Sequence, residues 1–140
     1  MRFASAVLSM VVAVVLLFSG VIHAAQPYYF VHTIASYRLL PPGASGLLGL
    51  WLPYLQIVLA MCIGLGMVRE AAFGVAVVLF ATFAAVQIAV LARGMEIDCG
   101  CFGFIVRVVS PASVMLPIAM MSASVLGLVE ARRSRRQSSA

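Results

Sequence analysis

Apolar residues run almost unbroken through four stretches of this chain, 3–25, 47–68, 71–92 and 111–129, and no acidic or basic side chain falls inside any of them. A bilayer core about 30 Å thick takes roughly 20 residues of helix at about 1.5 Å each. Each stretch is long enough to cross, which predicts an all-α, four-helix membrane protein. Segment 27–40 is patterned differently. Pro27 suits a first helical turn, Phe30, Val31, Ile34 and Tyr37 recur at helical spacing, and Pro41-Pro42-Gly43 ends the pattern. It predicts a short helix lying at the membrane interface. The first span also carries features of a signal peptide, since Arg2 precedes it and Ala24-Ala25 close it. Its apolar run exceeds the roughly 7–15 residues of a signal core, so it reads as a span.

Composition agrees with this picture: 64% of the 140 residues are apolar and 9% are charged, against about 25% charged in an ordinary soluble domain. All nine basic residues are arginine, and their placement predicts the orientation. With four spans, Arg2, Arg69, Arg132, Arg133, Arg135 and Arg136 share one side, while Arg38, Arg93 and Arg107 share the other. Basic residues in short flanking segments stay in the cytoplasm. Both termini are therefore expected there, in a bacterial inner membrane, with segments 26–46 and 93–110 outside. Tyr28, Tyr29, Tyr37, Trp51 and Tyr54 all fall at the outer interface on this reading, where Tyr and Trp concentrate. The run of arginines reads as a membrane-end anchor on a polar, disordered tail, 131–140. A nucleic-acid arm would need a soluble surface beside it, and residues 1–130 form a single membrane domain with none. No nucleic-acid partner and no cofactor are predicted.

The one segment with a chemical signature is Asp98-Cys99-Gly100-Cys101-Phe102-Gly103, preceded by Arg93 and placed by the topology on the oxidising side. The Cα atoms of Cys99 and Cys101 lie at most about 7 Å apart, and a turn at Gly100 brings them within disulfide range. So small a ring gains little from loop closure and is easily reduced, which suits exchange better than stapling. Asp98 disfavours a thiolate whereas Arg93 and Arg107 favour one. A turn with merely structural cysteines is the plainer alternative. A zinc or copper site formed by Cys99, Cys101 and His32, with His23 as a further ligand, is the rival chemistry, but the spacing fits no standard zinc motif. Cys62 lies about 15 residues down the second span, some 22 Å from the outer end, and reads as a small buried hydrophobe.

Polar residues inside spans are costly and often functional. His23, Gln56 and Gln87 each fall in the outer half of a different helix and form either one hydrogen-bonded cluster or separate interhelical contacts. Ser5, Ser9, Ser19 and Gly20 share a face of the first helix and read as close-packing small residues.

Tyr37-Arg38-Leu39-Leu40-Pro41, the Leu52-Pro53 pair and the Arg93-Gly94 to Cys101-Phe102-Gly103 loop together resemble the methylamine utilisation protein MauE family, grouped with DoxX-like membrane proteins. The resemblance covers roughly residues 17–103. It implies a four-helix, redox-associated accessory protein rather than an enzyme. It also implies an extracytoplasmic thioredoxin-like partner and a disulfide-rich client such as the small subunit of methylamine dehydrogenase. The chain departs from the family pattern in carrying His23 where a Ser-Gly-x-x motif ends in Lys and Gln56 where Leu-Pro-x-x ends in Glu, and in lacking an Arg-Asn pair near the start of the fourth span. Three functions follow from the sequence: thiol–disulfide exchange through Cys99 and Cys101, a non-catalytic scaffold or chaperone, and metal handling.

Overall fold

The computed structural model describes residues 2–39, 41–94 and 111–138. These form five helices: α1 (Arg2–Ala25), α2 (Pro27–Ser36), α3 (Pro42–Gly64), α4 (Arg69–Ala92) and α5 (Pro111–Ser138). All but α2 are long and apolar enough to cross a membrane. The protein is thus an all-helical, multi-pass membrane protein, as the four apolar stretches predict.

Helix ends follow local chemistry. Pro27 opens α2 and Pro42 opens α3, where a residue without an N–H loses no intrahelical bond. Arg38 adopts φ 51° immediately after α2, a left-handed position that turns the chain toward α3. Several boundaries differ from the hydrophobic pattern, α2 ending at Ser36 rather than at 40 and α3 opening at Pro42 rather than at 47. The second span was expected to reach Val68, yet α3 stops at Gly64, and Gly66 (φ 74°) and Val68 (φ 44°) reverse the chain. Apolarity reports membrane depth, and a tight turn at that depth satisfies it as well as a further helical turn does.

A further difference is a correction. The polar tail was expected to be disordered, but α5 continues as helix to Ser138. Glu70, in the first turn of α4, accepts hydrogen bonds from Arg132 Nε at 3.2 Å and Arg135 Nη1 at 3.0 Å. Residues three apart on a helix share a face, so one carboxylate holds both arginines and the turn between them. A Glu70→Gln variant is expected to speed hydrogen exchange at the backbone amides of residues 131–138 while leaving the global unfolding midpoint unchanged. Unaltered exchange would show that the extension is helical by propensity alone.

Helix α1 packs along α3 and α4 along α5, and the two pairs meet through thinner contacts. Each close pair is built on a glycine. A Cβ on Gly20 would stand 2.9 Å from the Pro53 carbonyl oxygen, and one on Gly127 would stand 2.6 Å from the Phe73 ring. Small residues at such crossings let backbones approach, which is how helices associate where lipid removes the hydrophobic drive. Ser9, Ser19 and Gly20 lie buried on the α1 face turned to the bundle, as their shared face predicts. Ser9 does more than fill space, since it accepts a hydrogen bond from Arg69 Nη2 at 2.8 Å and so ties α1 to the start of α4. The shared core of Val12, Leu16, Ile63, Phe73 and Phe80 occupies the middle of the bundle and the end toward Arg69. Cys62, read from the sequence as a small buried hydrophobe, packs against this core but is only half-buried.

Candidate functional site: a polar cavity beneath α2

Toward the opposite end the helices separate around a cavity of about 70 Å³, lined by side chains from all five of them. Three of its lining residues are the polar ones picked out from the sequence. His23 comes from the last turns of α1, Gln56 from α3 one turn beyond Pro53, and Gln87 from α4, and they are exposed by only 3%, 1% and 2%. His23 Nδ1 lies 3.5 Å from Gln56 Oε1 and 3.4 Å from Ser19 Oγ. With the Gln56 carbonyl oxygen as acceptor, the ring proton sits on Nδ1 and Nε2 is the acceptor face. Phe30 of α2 stacks on the imidazole with centroids 3.9 Å apart and planes 16° from parallel, which fixes the plane of the ring.

Helix α2 forms the roof. Phe30, Ile34 and Tyr37 reach into the cavity, one helical turn apart, while Val31 rests on α3 at Gly49, where a Cβ would meet it at 2.5 Å. Phe80, Phe83 and Gln87 line the α4 wall at spacings of three and four, and Leu116, Pro117 and Met120 line the α5 wall. The sequence singled out His23, Gln56, Gln87 and Tyr37. The aromatic pair Phe80 and Phe83 was missed, although its spacing to Gln87 is the signal that would have found it.

The other residues read as site candidates are not brought to this cavity. Arg38 and Arg93 are exposed at the ends of α2 and α4, and His32 is exposed on α2. Asp98, Cys99, Cys101 and Arg107 lie outside the described residues. Among the described residues no three His, Cys, Asp or Glu side chains come together as a metal site. The outermost cavity-lining residues of α4 and α5 nevertheless belong to the two helix ends that segment 93–110 connects.

A model of the family described as methylamine utilisation protein MauE matches residues 1–130, all but the last ten residues of the chain. The chain belongs to the MauE family. No curated protein and no solved structure matches it. The family's description ties its members to methylamine utilisation, and the match takes in the cavity helices and the cysteine segment alike. Within this MauE-family bundle, His23 and Gln56 are two of the three family-pattern departures read from the sequence, and their side chains touch.

That contact gives a measurable coupling. Changing His23 and Gln56 to Leu, singly and together, should give an interaction term on the order of 0.5 kcal/mol or more in a double-mutant cycle, because either single change leaves the other polar group without its partner. Additive losses would mean that the two side chains pack independently.

Proposed function

We propose that this protein supports the maturation of an extracytoplasmic redox protein by thiol–disulfide exchange through Cys99 and Cys101. The observation that carries the reading is the pair itself, two cysteines one residue apart in the segment joining α4 to α5, within a chain of the MauE family. On this reading the segment faces the periplasm, both termini are cytoplasmic, and the partner is a thioredoxin-like protein that passes disulfides to a client such as the methylamine dehydrogenase small subunit. A thiolate of one protein attacks a disulfide sulfur of the other, a mixed disulfide forms, and the second cysteine of the attacking protein expels the other protein's thiolate and takes over the disulfide. Two electrons and two protons change hands in each full cycle. Asp98 and Arg93 set the thiolate population from opposite directions.

Removing the resolving cysteine should leave the mixed disulfide intact. Either Cys99→Ser or Cys101→Ser is expected to accumulate a reductant-sensitive adduct with a thioredoxin-like protein in the periplasm, while the double variant forms none. Cys62→Ser should trap nothing and retain function, being packed against the bundle core. Full function in both single variants without an adduct would replace exchange by a scaffold role. Lost function without an adduct, together with loss of bound zinc or copper, would replace it by metal handling.

A further inference from the structure

The two ends of the bundle differ in charge. Among the described residues the cavity end presents Arg38 and Arg93, whereas at the other end α5 alone carries Arg132, Arg133, Arg135 and Arg136 in its last two turns. Helix α5 has 28 residues, about 42 Å at about 1.5 Å each, and a hydrocarbon core takes about 30 Å. Residues 111–129 hold no charged side chain and account for the core. The arginine-bearing turns therefore stand in the headgroup layer, level with Glu70 at the start of α4.

There the side chains form a recess. Arg132, Arg135 and Arg136 recur at i, i+3 and i+4 on one helix face, and with Glu70 they line a hollow of about 510 Å³ that opens outward. Glu70 holds Arg132 by Nε and Arg135 by Nη1, so Arg132 keeps its Nη groups for another acceptor. Among the described residues no carboxylate binds Arg136. Glu130, the other acid at this end, does not line the hollow. Three guanidinium groups against one carboxylate leave it cationic, and it adjoins a lipid surface.

We propose that this recess binds the phosphodiester of an anionic phospholipid through the Arg132 and Arg136 guanidinium groups, with Glu70 as the brace that sets them. A planar guanidinium meets two phosphate oxygens at once, where an ammonium group offers only a point charge, and every basic residue of this chain is arginine. Lipid is the source because the recess lies at headgroup depth beside a span, where a basic cluster draws anionic lipid. A zwitterionic headgroup carries the same phosphate but brings a cation of its own toward the arginines. Glu70 repels the phosphate only weakly, being a partly exposed carboxylate in a high-dielectric layer. In return it orders two long side chains and the helical turn between them, an entropy cost that the lipid would otherwise meet on binding.

Native mass spectrometry of the purified full chain in a neutral detergent tests the site, with dioleoylphosphatidylglycerol, dioleoylphosphatidylcholine and sn-glycerol 3-phosphate as probes. The wild type should bind the phosphatidylglycerol at least about tenfold more tightly than either of the others. Arg132→Lys/Arg136→Lys keeps every charge and should still weaken phosphatidylglycerol by about tenfold, because the bidentate geometry is lost. Arg133→Lys, off the recess, should change it by less than about twofold. Glu70→Gln is the discriminating variant. It raises the net charge by one, so a diffuse basic patch would bind phosphatidylglycerol more tightly after the change, whereas the braced recess should bind it about threefold or more weakly. Circular dichroism confirms that each variant remains folded. Tighter binding in Glu70→Gln, or wild-type affinity in the double lysine variant, overturns the inference. Equal binding of phosphatidylcholine would remove the need for an anionic headgroup, and equal binding of glycerol 3-phosphate would move the site to a soluble phosphate. Either result also overturns it.

Discussion

Replacing Gly20 by leucine is expected to destabilise the bundle by about 3 kcal/mol, at the upper end of what overpacking a close contact costs. A Cβ alone would stand 2.9 Å from both the Pro53 carbonyl oxygen and Ile57 Cγ1, and 3.1 Å from Gln56 Cβ. Two of those atoms belong to flexible or adjustable side chains, but the carbonyl is part of the α3 backbone and cannot step aside. Helices α1 and α3 must separate, and the separation pulls His23 away from Gln56, so the cavity should lose its polar wall at the same time. Gly74→Ala is the internal control. Nothing lies within 4 Å of a Cβ at that position, and alanine in a helix interior is worth roughly 0.5–1 kcal/mol over glycine. Unfolding midpoints in a mild detergent should therefore fall for Gly20→Leu and rise for Gly74→Ala. Equal midpoints for the two would mean that the α1–α3 crossing is looser than 2.9 Å contacts imply.

The second large effect belongs to the other helix pair. A Cβ on Gly127 would stand 2.6, 2.7 and 2.9 Å from three atoms of the Phe73 ring. Phe73 is fully buried at 0% exposure, so the ring has no outward rotamer to escape into. Gly127→Ala should cost about 2 kcal/mol, within the usual range for an added methyl in a packed core. Phe73→Leu should cost a comparable amount by leaving a void. In the double variant the smaller side chain makes room for the methyl group, and the sum of the two losses should shrink by about 1 kcal/mol or more, a coupling of the size seen for residues in contact. Losses that simply add would show that α5 relieves the clash by shifting along α4.

How much of this could be read from the chain alone varies from element to element. The four spans were legible because lipid imposes one dominant requirement, and about 20 apolar residues without charge are its direct record. Helix α2 was legible in outline from Pro27 and the spacing of Phe30, Ile34 and Tyr37. Its function as a roof was not, because facing an interface and facing a cavity call for the same apolar stripe. The end of α3 was misplaced, since Leu65 to Val68 are as apolar as the helix before them and hydrophobicity does not record a left-handed turn. The helical tail was missed for a different reason. Its ordering depends on Glu70, a partner 62 and 65 residues away in sequence from Arg132 and Arg135.

The site shows the same division. His23, Gln56 and Gln87 stood out because a polar side chain in a 20-residue apolar run is conspicuous at any position. That they share a space follows from the pairing of α1 with α3 and the thin contact of that pair with α4 and α5, which depends on where Gly20 and Gly127 permit close approach. By itself the sequence determined the class of protein, the number of crossings, the family and the cysteine pair, since each of these is a local property of composition or spacing. The tertiary structure alone decided that Phe30 stacks on His23, that Arg69 reaches Ser9, and that a void remains between the two helix pairs. Those depend on distances between segments far apart in sequence, and in a bilayer such distances are set by shape and packing, which no local pattern of apolar residues encodes.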